Sequence, residues 1–196
     1  MKTKKRGIIF VISGPSGSGK TTLASRIAQD KKFKNKLIKS ISFTTRPRRS
    51  GEKEKKDYFF VREEDFTQGL KAKKILEWTK YLGYYYGTPG DFVEKQLAKG
   101  RHVVLCLDFK GARAIRRFYP QDTVLVFVMP PSLGVLRHRI QNRCSKTKKE
   151  EIQKRIKLAE KELAVAEKYD YCLVNKELDR TVAVLKEVIL REILAR

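Results

Sequence analysis

The run GIIFVIS at 7 to 13 leads straight into GPSGSGKTT at 14 to 22, and that junction limits the chain more than any other feature. A continuous apolar run of this length reads as a strand buried on both faces. The loop behind it fills the pattern G-x-x-x-x-G-K-S/T with Gly14, Gly19, Lys20 and Thr21, and the next stretch places Leu23, Ile27 and Ala28 on one side of a helix. Strand, glycine loop and helix in that order make a phosphate cradle. The glycines let backbone amides turn inward, and the helix N-terminus adds a field that favours anions. Across Gly14, Pro15, Ser16, Gly17, Ser18, Gly19, Lys20, Thr21 and Thr22, Lys20 is expected to neutralise β and γ phosphates and the Thr21 hydroxyl to ligate Mg²⁺. The expected occupant is a nucleoside triphosphate, ATP.

Similar apolar runs recur at HVVLCLD (102 to 108), TVLVFVM (123 to 129) and YCLVN (171 to 175), each followed by a candidate helix. That alternation predicts an α/β fold: a P-loop core whose parallel sheet is covered by helices on both faces. Two segments depart from it. Residues 40 to 92 hold short β-like pieces (SISFTT, YFFV, ILEWT) among turn residues, arginines and tyrosines, the pattern of an inserted mixed α/β lobe. Residues 137 to 158 carry Arg137, Arg139 and Arg143 into a helix on which Ile152, Ile156, Ala159, Leu163 and Ala166 keep helical spacing, the pattern of a small helical lid. The last helix, from about Leu178, should pack on the core through Val182, Leu185, Val188 and Ile189. The chain therefore reads as one domain, with core segments 1–39, 93–136 and 159–196, a lobe at 40–92 and a lid at 137–158.

Charge widens the field before the motifs narrow it. Lys and Arg number 45 against 22 Asp and Glu, a formal +23 that suits nucleic acid, an anionic membrane surface or phosphorylated substrates. The lysines are spread over several segments, so the charge reads first as solvated surface. Cys106, Cys144 and Cys172 form no C-x-x-C pair, which argues against a disulfide framework or zinc site and fits a reducing cytosol. Cys106 and Cys172 lie in apolar runs and are expected to be buried. The start MKTKKRGIIFVIS imitates a secretory signal, but its apolar part is short and is used by the strand that feeds the loop. A cytoplasmic protein with no membrane partner is expected, and His102 and His138 read as incidental.

The acceptor of the phosphate must be read from the lobe. SFTTRPRRSGEKEKKDYFF (42 to 60) concentrates Arg46, Arg48 and Arg49 ahead of Tyr58. Guanidinium forks match phosphate oxygens bidentately, and a Tyr hydroxyl completes the set, so a pocket for a second phosphate is expected.

These stretches, with LEWTKYLGYYYGTP (76 to 89), LDFKGA (107 to 112) and PPS (130 to 132), closely resemble the guanylate kinase family, over nearly the whole chain and in the family's order. The resemblance implies the reaction ATP plus GMP giving ADP plus GDP with Mg²⁺, and an architecture of P-loop core, GMP lobe and lid. It places the acceptor phosphate on Arg46, Arg49, Tyr58 and Tyr86 with Glu52 close by, and guanine on Ser42, Glu77, Thr88 and Asp108. The chemistry supports the latter set independently. Guanine presents N1–H and its N2 amine side by side, and one carboxylate such as Glu77 accepts from both, whereas adenine offers an acceptor at N1. Hydroxyls of Ser42 and Thr88 are expected to donate to O6. The lid residues carry over as Arg139, Arg143 and Arg155, cations for the charge that spreads over the transferred group, and Asn175 is expected near the adenine. Tyr84 and Tyr85 read as packing residues.

The match departs at two points. The family usually ends the strand before helix FKGA with two aspartates two residues apart; here Cys106 takes the first place and only Asp108 remains, so a raised Mg²⁺ requirement is expected. In RPRRSGE the proline follows Arg46 directly, which leaves open whether Arg48 or Arg49 meets phosphate, position favouring Arg49. Alternatives to the enzyme are a guanylate-kinase-like module that binds phosphorylated partner segments, a kinase of another phosphorylated acceptor, and a nucleic-acid binder suggested by the charge.

Overall fold

The computed structural model describes residues 5–142 and 149–196; the expected lid residue Arg143, and Cys144, lie outside them. Strands β1 (Ile9–Ser13), β2 (Leu37–Lys39), β7 (His102–Cys106), β8 (Thr123–Met129) and β9 (Tyr171–Val174) form one sheet in the order β2-β7-β1-β8-β9, parallel throughout. Every residue of β1 is buried, as a central strand covered on both faces requires.

Alternation along β1 sorts the core into two layers. Ile8, Phe10 and Ile12 face Leu23 and Ile27 of α1 (Lys20–Ala28) and Leu185 and Ile189 of α7 (Leu178–Leu194). Ile9 and Val11 face Val93 and Leu97 of α3 (Gly90–Ala98) and Ala112 and Ile115 of α4 (Phe109–Phe118). Phe10 is fully buried, so truncating it to Ala would cost about 3–5 kcal/mol in transfer and cavity terms.

The lobe is built on a second, mixed sheet in the order β4-β3-β6-β5, from β3 (Phe43–Thr44), β4 (Phe59–Phe60), β5 (Ile75–Tyr81) and β6 (Tyr84–Pro89). Helix α2 (Glu63–Lys71) covers it through Phe66, which stacks on Tyr85 at 5.4 Å, and Tyr85 also meets Trp78 at 5.6 Å. Tyr85 packs as expected, whereas Tyr84 is exposed at the hairpin. Beyond β8, α5 (Leu133–Asn142) and α6 (Lys149–Leu163) share a small core of Leu136, Ile140, Ile156 and Ala159.

Cys172 corrects the expectation of a buried thiol. It is exposed, because β9 is the edge strand and its alternate residues Cys172 and Val174 point away from the core while Leu173 points in. His102 serves the fold, its Nδ1 accepting from the Ile8 amide at 3.1 Å. Among the described residues no helix is long and apolar enough to cross a membrane.

Candidate active site

The glycine loop closes over the C-terminal end of β1, where α1 begins. Gly19 takes the helix-capping position with φ +95°, and a Cβ there would lie 2.3 Å from Asn175 Nδ2, so only glycine fits. Asn175 is buried behind the loop, where its Nδ2 donates to Ser18 O at 2.8 Å; Arg139 of α5 in turn donates to Asn175 O at 3.1 Å. The loop is thus braced from behind. On its open side Lys20 and Thr21 line a cavity, and Lys20 Nζ donates to Pro15 O at 3.3 Å, a long bond easily exchanged for a phosphate oxygen.

The far wall of the same cavity comes from the lobe. Arg46 is only 7% exposed, with Nη2 donating to both Glu52 oxygens at 2.8 and 2.9 Å and Nη1 to Pro47 O at 2.6 Å; its guanidinium lies over the Tyr58 ring at 5.6 Å. Glu52 also accepts the Arg49 amide at 2.9 Å. One carboxylate therefore fixes the side chain of Arg46 and the backbone of Arg49. Tyr58 and Tyr86 meet edge to face at 5.9 Å, and Ser42, Arg46, Arg49, Tyr58 and Tyr86 all border the cavity. Arg48 points to solvent instead.

Deeper in, Glu77 of β5 is 6% exposed and accepts the Thr88 hydroxyl at 2.6 Å. Burial pushes its carboxyl up to about 7; the Thr88 bond opposes this, and the charge of Asp108 adds to it. Asp108 caps α4, accepting from Gly111 N at 2.8 Å and from the Thr79 hydroxyl at 2.7 Å. Gly111 must be small, since a Cβ there would stand 2.6 Å from Glu77 Oε2. Helix α6 closes the side, with Arg155 Nη1 donating to Ser16 Oγ at 3.1 Å.

The cavity thus has the glycine loop at one end and a paired arginine and a buried carboxylate at the other. The family model for guanylate kinase matches residues 6–192. The chain belongs to the guanylate kinase family. It is 42% identical over 192 residues to the guanylate kinase of Caldanaerobacter subterraneus subsp. tengcongensis, covering 98% of this chain and 91% of that protein. It is 40% identical over 195 residues to that of Bacillus subtilis strain 168, covering 98% and 93%. The crystal structure of guanylate kinase from Anaplasma phagocytophilum superposes with a TM-score of 0.80 at 33% identity, over 96% of this chain and 87% of that one.

Within this guanylate kinase fold several expected residues sit otherwise than the sequence suggested. Thr88, expected at the base, has its hydroxyl on Glu77 and so orients that carboxylate, while Ser42 borders the cavity. Glu52 holds arginines, and an anion in that position repels phosphate. Asn175 buttresses the loop from its buried side. Cys106 is half-buried at the cavity floor with Sγ 4.0 Å from Lys20 O, and burial raises its pKa, so it stands there as a neutral thiol.

Three polar side chains at the cavity escaped the sequence reading: Thr79, Tyr81 and Glu162. Thr79 and Tyr81 follow Glu77 at strand period two and so share its face. Glu162 follows Arg155 by seven residues, two helical turns, and so shares its face. Periodicity was the available signal in both cases.

Proposed function

We propose that this chain is an ATP:GMP phosphotransferase that passes the γ-phosphate of ATP to GMP, and to dGMP, giving ADP and GDP. The observation that carries the reading is that Glu77, a buried carboxylate suited to guanine, and Lys20, a cation suited to a triphosphate, border one cavity.

The acceptor lobe (40–92) holds GMP. Its phosphate meets Arg49, Arg46, Tyr58 and Tyr86, while Glu77 accepts from N1–H and the N2 amine and Ser42 donates to O6. Adenine would leave Glu77 facing an acceptor, and buried polar groups without partners are penalised strongly. The loop residues 14–22 hold ATP, with Lys20 on the β and γ phosphates. A GMP phosphate oxygen forms the new bond to the γ phosphorus as the bond from that phosphorus to the β,γ-bridging oxygen breaks, and the electron pair leaves with ADP. No protein nucleophile takes part; the work is alignment and charge.

Arg155, with Arg139 and Arg143, answers the charge on the transferred group, and a lid formed by 137–158 excludes water that would otherwise consume ATP. Arg139 acts at one remove, through the Asn175 carbonyl behind the loop. The donor set fits Mg²⁺, which keeps several waters and binds largely through substrate phosphates: Thr21 offers a hydroxyl and Asp108 a nearby carboxylate, while the Cys106 thiol offers no carboxylate. Bound with ATP, Mg²⁺ would neutralise charge on the β and γ oxygens. Such substrates and reduced cysteines suit the cytosol.

The test is ADP formation from ATP and Mg²⁺ with GMP, AMP, UMP and dTMP offered separately, for wild type and Glu77→Ala. Turnover is expected with GMP, with AMP weaker by at least about 10³, and with loss of that preference in the variant. Turnover with none of the four would sink the reading and leave phosphopeptide or nucleic-acid binding to be tested.

A further inference from the structure

Helix α6 delivers two side chains of opposite charge to the same cavity. Arg155 suits a phosphoryl-transfer site; Glu162 does not obviously do so, because every phosphate that enters is an anion and is repelled by it. Nor is Glu162 a solvated bystander. It is partly buried, within the electrostatic reach of Lys20, Asp108 and Tyr81. Burial raises its carboxyl to about 7, Lys20 pulls it back down, and Asp108 pushes it up again. Asp108 is differently engaged, with one oxygen on the Gly111 amide and the other on the Thr79 hydroxyl.

We propose that Glu162 is a positioning residue for Lys20: its carboxylate counterbalances the ammonium across the cavity, and an entering polyphosphate takes that ammonium over. The exchange has two consequences. Lys20 is kept directed into the cavity between turnovers, and the carboxylate competes with the bound product ADP for the same ammonium, which speeds its departure. This inference rests on the reading of Lys20 as the phosphate lysine.

The experiment is calorimetric binding of ADP and ATP in EDTA at low salt to wild type, Glu162→Gln, Glu162→Asp, Lys20→Met and the double variant Lys20→Met with Glu162→Gln, each first checked for a cooperative thermal transition. Glu162→Gln should bind ADP roughly fivefold tighter, the scale of one screened unit-charge contact in a solvent-open cleft. Glu162→Asp should return towards wild type, and GMP affinity should rise by less than ADP affinity, because GMP does not take over Lys20. In the Lys20→Met background the same change should gain less than about twofold, because the lysine it acts through is gone. An ADP affinity unchanged or weakened in Glu162→Gln overturns the proposal, as does an equal gain with and without Lys20. A wild type that binds neither nucleotide overturns instead the reading of the loop on which the proposal stands.

Discussion

Glu77 combines a functional demand with a folding cost. Its carboxyl has an ordinary value near 4.5 and is raised to about 7 by burial, so between those values the folded chain holds a proton that the unfolded chain has lost. Stability contributed by this group is therefore greatest below about pH 4.5 and falls as pH rises to about 7. The total is about 3 kcal/mol by linkage. Urea unfolding of wild type and Glu77→Gln at pH 5 and pH 8 should show the variant losing less stability between the two by that order; equal losses would mean the carboxyl is not shifted. The chemical type of this site was legible from EW and YYG, but its energetics were not. Nothing in a one-dimensional chain says that an acid flanked by Leu76 and Trp78 will be sealed under α4 beside Gly111.

At the scale of elements, the apolar runs at 102–106 and 123–129 announced their strands because burial on both faces leaves no polar positions to confuse the pattern. The three-residue β2, with Lys39 at its end, offered no such run, and the lobe strands of two residues were visible only as β-like fragments. Glu162 was hidden for another reason: in KRIKLAEKEL every acid resembles a solvated face, and only the structure shows which turn of α6 meets the cavity. Helix α4 gives the sharpest element-level prediction. Gly111→Ala improves helix propensity by about 1 kcal/mol, yet its methyl would stand 2.6 Å from Glu77 Oε2. The variant should keep its thermal midpoint within a few degrees and its ATP KM, while the KM for GMP rises by about tenfold or more, the scale of a displaced buried hydrogen-bonding group. A GMP KM equal to that of wild type would mean that Glu77 has room to give way.

For the molecule as a whole, the excess of 45 basic over 22 acidic residues acts at long range on substrates that are all anions. Attraction of this kind is screened over about 8 Å at physiological salt. Raising KCl from 50 to 300 mM should lower kcat/KM for GMP several-fold while changing kcat much less; parallel falls in both would place the salt effect in the transfer step.

Sheet order carries one more consequence. β2 and β7 lie side by side with Leu37 opposite His102, and α3 alone suffices to return the chain from the top of one to the foot of the other. The small sheet, from Phe43 to Pro89, is spliced into that crossover between strand and helix. Most of the acceptor set, Arg46, Arg49, Tyr58, Glu77 and Tyr86, thus enters the fold as one insertion with Ser42 at its edge: a chain with 43–89 replaced by a short Gly/Ser linker should still bind ATP while transferring phosphate to nothing.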